Sequence, residues 1–113
     1  MLPRAGDIFW VELDPVSGTE QAGRRPALVI SEAGYHELST RAVICPITTK
    51  ARDWPFEVRV TSGLKTIGVV LVDQVRTIHR ATRIFDFIEQ VPPPLLDEVR
   101  SRLGALLGIS VGP

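Results

Sequence analysis

The run Glu20-Gln21-Ala22-Gly23-Arg24-Arg25-Pro26 lies beside an apparent strand, and Thr48 ends a later apolar run. A guanidinium fork bonds two oxygens of one phosphate, a hydroxyl adds a neutral donor, and a carboxylate can move a proton. Residues of these types, so placed, suggest a site that cleaves phosphodiesters. The connection carrying them is long and polar from Asp14 onward, and Pro15, Gly18 and Gly23 forbid continuous helix or strand there. Connections of that length in a small domain are often functional.

These side chains need strands to hold them. Asp7 to Leu13 is rich in Ile, Phe, Trp and Val and stops at Asp14-Pro15, and Ala27 to Ser31 reads as the next strand. Ala42 to Thr48 follows, with Pro46 expected at an edge or bulge because proline has no N–H for a ladder. Phe56 to Val60 alternates, which puts Phe56, Val58 and Val60 on a buried face, and Ser62-Gly63 marks the turn after it. Val69 to Val75 is nearly all apolar until Asp73-Gln74, as in a strand buried on both faces that ends at a polar site. Ile84 to Ile88 adds a short strand. Beyond Pro92-Pro93-Pro94, Leu96, Val99, Leu103, Leu106 and Leu107 recur at helical spacing, and Gly108 is placed to end that helix. Gly104 inside it costs roughly 1 kcal/mol against Ala, so tertiary contact must hold the helix. Short strands, tight turns and one terminal helix predict a mainly β (α+β) fold, an antiparallel sheet curled into a partly open barrel.

The 113 residues suffice for one domain with one core, and a hydrophobic fraction of 44% with 23% charged residues argues against disorder. Lys plus Arg equals Asp plus Glu at 13 each, so any nucleic-acid partner must meet a local basic patch. Lys50, Arg52, Lys65, Arg76, Arg80 and Arg83 could form one, or could be an ordinary solvated surface. The lone Cys45 makes no intramolecular disulfide, and no zinc-type Cys/His spacing exists. His36 and His79 read as loop or turn residues with no carboxylate spacing for metal or histidine catalysis. The N-terminal residues lack an apolar signal core and no stretch reaches membrane-spanning length, so a soluble, cytoplasmic protein is expected.

Several pieces in order resemble one family. They are Gly6-Asp7-Ile8 with Asp14-Pro15; Gly18-Thr19-Glu20-Gln21-Ala22-Gly23 with Arg25-Pro26-Ala27-Leu28-Val29; Cys45-Pro46-Ile47-Thr48; Pro55-Phe56-Glu57-Val58; and Gly68-Val69-Val70-Leu71-Val72-Asp73-Gln74-Val75. From Gly6 to Gly108 the chain is similar to the MazF/PemK toxins of bacterial toxin-antitoxin pairs, which are sequence-specific messenger-RNA endonucleases. The resemblance implies a single toxin domain over residues 1–113, folded as a small SH3-like barrel with a C-terminal helix and related to the gyrase poison CcdB. It makes Arg25 and Thr48 the catalytic pair. The reaction it implies is attack of a ribose 2′-OH on the adjacent phosphate, leaving a 2′,3′-cyclic phosphate and a 5′-OH without metal or cofactor. It also implies a homodimer with single-stranded RNA in interface grooves, and a cognate MazE-like antitoxin whose disordered tail occupies those grooves. Thr19, where Ser is common, and Ile78-His79-Arg80 depart from the family pattern.

An arginine, with a pKa above about 12, is a poor general base. Arg25 is therefore assigned to electrostatic stabilisation and donation to the leaving 5′-oxygen, and Glu20 to the base. Gln21, Arg24, Lys50, Trp54, Gln74 and Arg76 are the candidate substrate contacts. Arg24 would hold a flanking phosphate, Gln74 would pair with a base edge, and Trp54 would stack on an unpaired base. Plainer readings stand beside these. Glu20 could pair with Arg24 or Arg25, Thr48 is a good strand former, Asp73-Gln74 could merely end a strand, and Trp54 could be a half-exposed lid over a core Phe56. A gyrase-binding toxin or a noncatalytic small-barrel module are the competing function classes, and the Arg25 and Thr48 pair discriminates against both.

Overall fold

The computed structural model describes residues 2–13, 18 and 20–109. Asp14-Pro15 and Thr19 lie outside the described residues. Alternating or continuous β-branched runs become strands β1 (Asp7–Glu12), β2 (Arg24–Val29), β3 (Arg41–Thr48), β4 (Glu57–Arg59), β5 (Val69–Leu71), β6 (Arg76–His79) and β7 (Ile84–Gln90). Helices α1 (Ala33–Leu38), α2 (Arg80–Arg83) and α3 (Pro93–Leu107) complete the chain, with a 3-10 turn over Val72–Gln74.

The strands form one seven-stranded sheet in the order β4-β5-β3-β2-β1-β7, with β6 also paired to β3. Every pairing is antiparallel. The sheet does not close on itself, so it is a barrel only in a loose sense. One apolar cluster joins Ile8, Leu28, Cys45, Ile47, Val58 and Val70 to Leu95 and Val99 of α3. A second, of Val11, Leu13, Ala27, Val29, Ile44 and Ile78, lies on the alternate side chains of β1, β2 and β3.

Pro46 is not at an edge. The β3 strand is internal, paired to β6 through Ile44 and to β5 from Ile47 onward, and Pro46 falls in the step between those two partners. The missing donor therefore costs no ladder bond on that side. The apolar run from Val69 is also shorter as a strand than its composition suggests: it turns at Val72 into the 3-10 segment, whose first amide donates to Phe56 O at 2.9 Å. The expected Phe56–Val60 strand is only Glu57–Arg59: Val58 and, just past its end, Val60 are buried, Phe56 precedes it, and Glu57, expected to face solvent, is buried.

The helical stripe is likewise narrower than predicted. Leu95 and Val99 are buried, whereas Leu106 and Leu107 are exposed beyond the edge of the core. Gly108 ends α3 in the left-handed region at φ 71°, and the Ile109 amide caps Gly104 O at 2.7 Å. His36 is not in a loop but buried in α1. It bonds Pro3 O through Nδ1 at 2.7 Å and Ser31 Oγ through Nε2 at 2.6 Å, and so ties the N-terminal segment to the end of β2.

Candidate active site

A cleft of about 180 Å³ opens where the C-terminal end of β3, the following loop, the 3-10 turn and the β1–β2 connection meet. Its lining includes Gln21, Thr48, Lys50, Trp54 and Gln74, which the sequence reading singled out, together with Arg52, Glu57 and Asp73. Residues separated by as much as 53 positions are thus brought to one place.

Thr48 is the last residue of β3 and is 5% exposed. Its Oγ1 accepts the Lys50 amide at 3.2 Å, which leaves the hydroxyl proton available for donation. The backbone behind it is pinned by Gly68: a Cβ there would lie 2.1 Å from Thr48 O, in a conformation (φ 128°) that side chains rarely adopt. Only glycine lets β5 approach β3 this closely.

Arg25 is on β2, next to β3. The ladder between these strands runs from Val29↔Ile44 to Ala27↔Pro46, and Arg25 and Thr48 each stand two residues beyond that last pair. Strand alternation puts both on the face of Ala27, Val29 and Ile44. The Arg25 Nε donates to Ala22 O at 2.9 Å, which orients the guanidinium by its stem nitrogen and leaves the terminal nitrogens to spread toward a ligand. Arg25 itself does not line the cleft.

Arg76 shares that face, since it pairs with Ile44, and its Nη1 donates to Leu13 O at 3.0 Å. Arg24 is directed elsewhere: it is exposed and its guanidinium sits 4.2 Å above the Phe85 ring. Glu20 is exposed and is not among the lining residues. The Gln21 amide donates to Gln74 Oε1 at 2.9 Å, so the Gln74 carboxamide nitrogen is the part left for a ligand. The Gln21 Oε1, by contrast, is buried without a hydrogen-bond partner. Trp54 is 43% exposed and its ring meets Phe56 edge to face at 5.4 Å, which holds one aromatic surface at the rim.

Asp73 and Gln74, the polar end of the buried run and a candidate substrate contact, both line the cleft. Glu57 is the member that the sequence hides, since alternation assigns it to solvent. Cys45 is buried in the apolar cluster with Ile47, Val58 and Val70. Burial and, secondarily, the Asp73 charge push its thiol up to about 12, so it is a packing residue and not a nucleophile.

An open antiparallel sheet with a terminal helix, and a cleft lined by hydroxyl, amide, cationic, acidic and aromatic side chains, defines a small β protein with a polar surface cleft. The comparisons place it further. The model of the PemK-like, MazF-like toxins of type II toxin-antitoxin systems matches residues 4–107, and the chain belongs to that family. It is 38% identical over 107 residues to the endoribonuclease toxin MazF of Escherichia coli strain K12, covering 95% of this chain and 96% of that one. The crystal structure of MazF from Deinococcus radiodurans superposes with a TM-score of 0.89 at 41% identity, over 96% of this chain and 99% of the other. A MazE-MazF crystal structure from the same organism gives 0.82 at 37% identity, over 97% and 99%. No described helix is long and apolar enough to cross a membrane.

Proposed function

We propose that this chain is the toxin of a type II toxin-antitoxin pair and cuts single-stranded messenger RNA at specific sequences, arresting translation. Family membership and the endoribonuclease names of its relatives support the activity. The observation that carries the site is the placement of Arg25 and Thr48 on one sheet face, two residues past the β2–β3 ladder, beside the polar cleft.

In the proposed reaction a ribose 2′-oxygen attacks the adjacent phosphorus while its proton passes to a base, and the P–O5′ bond breaks as a proton reaches the leaving oxygen. The products are a 2′,3′-cyclic phosphate and a 5′-OH. Arg25 spreads charge from the phosphorane-like transition state over its guanidinium and supplies the proton donor for the 5′-oxygen. Thr48 adds a neutral hydroxyl donor. Glu20 is the assigned base; its place on the surface means that substrate must carry the 2′-OH to it. Gln21, Lys50, Trp54, Gln74 and Arg76 hold the flanking nucleotides, and Arg24 is reserved for a more distant phosphate. No metal or cofactor has a role in these steps.

Residues 1–113 act as a single toxin domain that pairs with a second copy and resides in the cytoplasm. Its exposed Leu2, Phe85, Phe87, Leu106 and Leu107 are the kind of apolar surface that partners cover. The solved MazE-MazF complexes of relatives support a cognate MazE-like antitoxin, whose acidic, apolar tail would compete with substrate phosphate at Arg25. Incubating the purified protein with mixed RNA in chelator and mapping cut positions and end groups tests the reading. Cyclic phosphate and 5′-OH ends at recurring sequences are expected. Intact RNA would favour a gyrase-binding toxin or a noncatalytic module.

A further inference from the structure

A carboxylate in a cleft meant for a polyanion is a liability unless its charge is already engaged. Glu57 is 9% exposed and lines the cleft beside Lys50, Arg52 and Trp54. Its Oε1 accepts the Arg52 amide at 2.9 Å and the Asp53 amide at 3.0 Å, and its Oε2 also accepts the Arg52 amide at 3.0 Å. Three acceptor positions of a carboxylate that offers about four are thus taken by backbone. The carboxylate is thus oriented toward the loop backbone that it holds.

The same bonds shape the loop. Asp53 has φ 57°, the sole non-glycine in the left-handed region among the described residues. That conformation turns the chain so that consecutive amides point at one carboxylate, and Asp tolerates it better than most residues. The Glu57 amide in turn donates to Trp54 O at 3.1 Å, closing the loop on the start of β4. The residues between, Lys50 to Trp54, carry the cations and the aromatic ring that face the cleft.

We propose that Glu57 is a positioning residue that sets which RNA sequences the cleft accepts, acting through the backbone of the Lys50–Trp54 loop and without touching the scissile phosphate. This rests on the ribonuclease reading above. Lys50 and Trp54 bind substrate well only while the Glu57 carboxylate fixes their backbone. The loop therefore governs affinity and discrimination, and the chemical step stays with Arg25 and Thr48.

The test uses the full chain, with Glu57→Ala and Glu57→Gln compared on one short RNA taken from the mapped wild-type cuts and on copies altered beside the cut. Thermal melting establishes folding. In Glu57→Ala, KM should rise about tenfold with kcat held within about threefold, and the rate ratio between matched and altered RNA should shrink. Glu57→Gln keeps one acceptor oxygen for the Arg52 and Asp53 amides and should recover much of both. Combined with Lys50→Ala and Trp54→Ala, the Glu57→Ala change should add little, because its effect runs through those side chains. Folded Glu57 variants with wild-type KM and wild-type discrimination would overturn the inference, as would an equal loss of kcat in Ala and Gln. Should Glu57→Ala not fold, Glu57→Met, which fills the same space and offers no carboxylate acceptor, decides alone: a raised KM with preserved kcat supports the inference and unchanged kinetics overturns it. A wild-type protein that leaves RNA intact overturns the ribonuclease reading itself, and this inference with it.

Discussion

The β1–β2 connection and the β3–β4 loop border the same cleft, yet they are anchored by different parts of the molecule. Among the described residues the first is tied to its strand ends and to the 3-10 turn: Leu13 amide to Gly23 O at 3.0 Å, Gln21 amide to Gln74 Oε1 at 2.9 Å, and Arg25 Nε to Ala22 O at 2.9 Å. The second is braced from inside by the buried Glu57 carboxylate and from outside by Arg102 of α3, which bonds Pro55 O. Under the proposed function the first leads into β2 and sets the Arg25 guanidinium by its stem, whereas the second presents the Lys50–Trp54 surface that selects. The proposed function puts chemistry at Arg25 and Thr48, on the ends of β2 and β3, and selection in the β3–β4 loop, so substitutions in each should separate kcat from KM.

The largest effect is expected at Arg25. Arg25→Ala should lower kcat by about a thousandfold with little change in melting temperature, because it removes a preorganised donor and not a packed side chain. A loss confined to KM would remove Arg25 from the chemical step. Gly68→Ala comes next: its methyl group would meet the Thr48 carbonyl, so about 3 kcal/mol of stability should be lost, seen as a melting-temperature drop of roughly 10–15 °C. Thr48→Val should cost kcat about a hundredfold in a protein that melts normally, and full turnover would remove the hydroxyl from the mechanism. Gln74→Leu leaves the Gln21 amide without its acceptor and should raise KM several-fold, with about 1 kcal/mol involved. At the bottom of the scale, the Cys45 thiol in the main apolar cluster should not react with Ellman's reagent at pH 8 until denaturant is added. Rapid labelling of the native protein would show that this core opens.

Strand positions were legible because apolar alternation and turn residues are local signals, and β1, β3 and the start of β5 fall where those signals lie. The short elements α1, α2 and β6 were not, since a helix of four or six residues has no stability of its own and forms only against the sheet. Arg80 illustrates the point: it reads as a surface charge, yet its guanidinium holds His36 O and Ser39 O. The residue types of the site were readable from their clustering between Glu20 and Pro26. Their arrangement was not, because it depends on the β2–β3 register and on the close approach of Gly68, neither of which leaves a periodic trace. Glu57 was hidden for a related reason: strand alternation predicts its direction, and the backbone amides of Arg52 and Asp53 override it.

Arg102 gives the C-terminal helix a second importance. Its guanidinium reaches from α3 to Pro55 O, and at 3.4 Å to Glu57 O, so the last turns of the chain act as a guy-line for the selecting loop. A frameshift or early stop before this residue would spare every strand and still slacken that line. Such a lesion would disarm the protein while leaving most of its coding sequence in place.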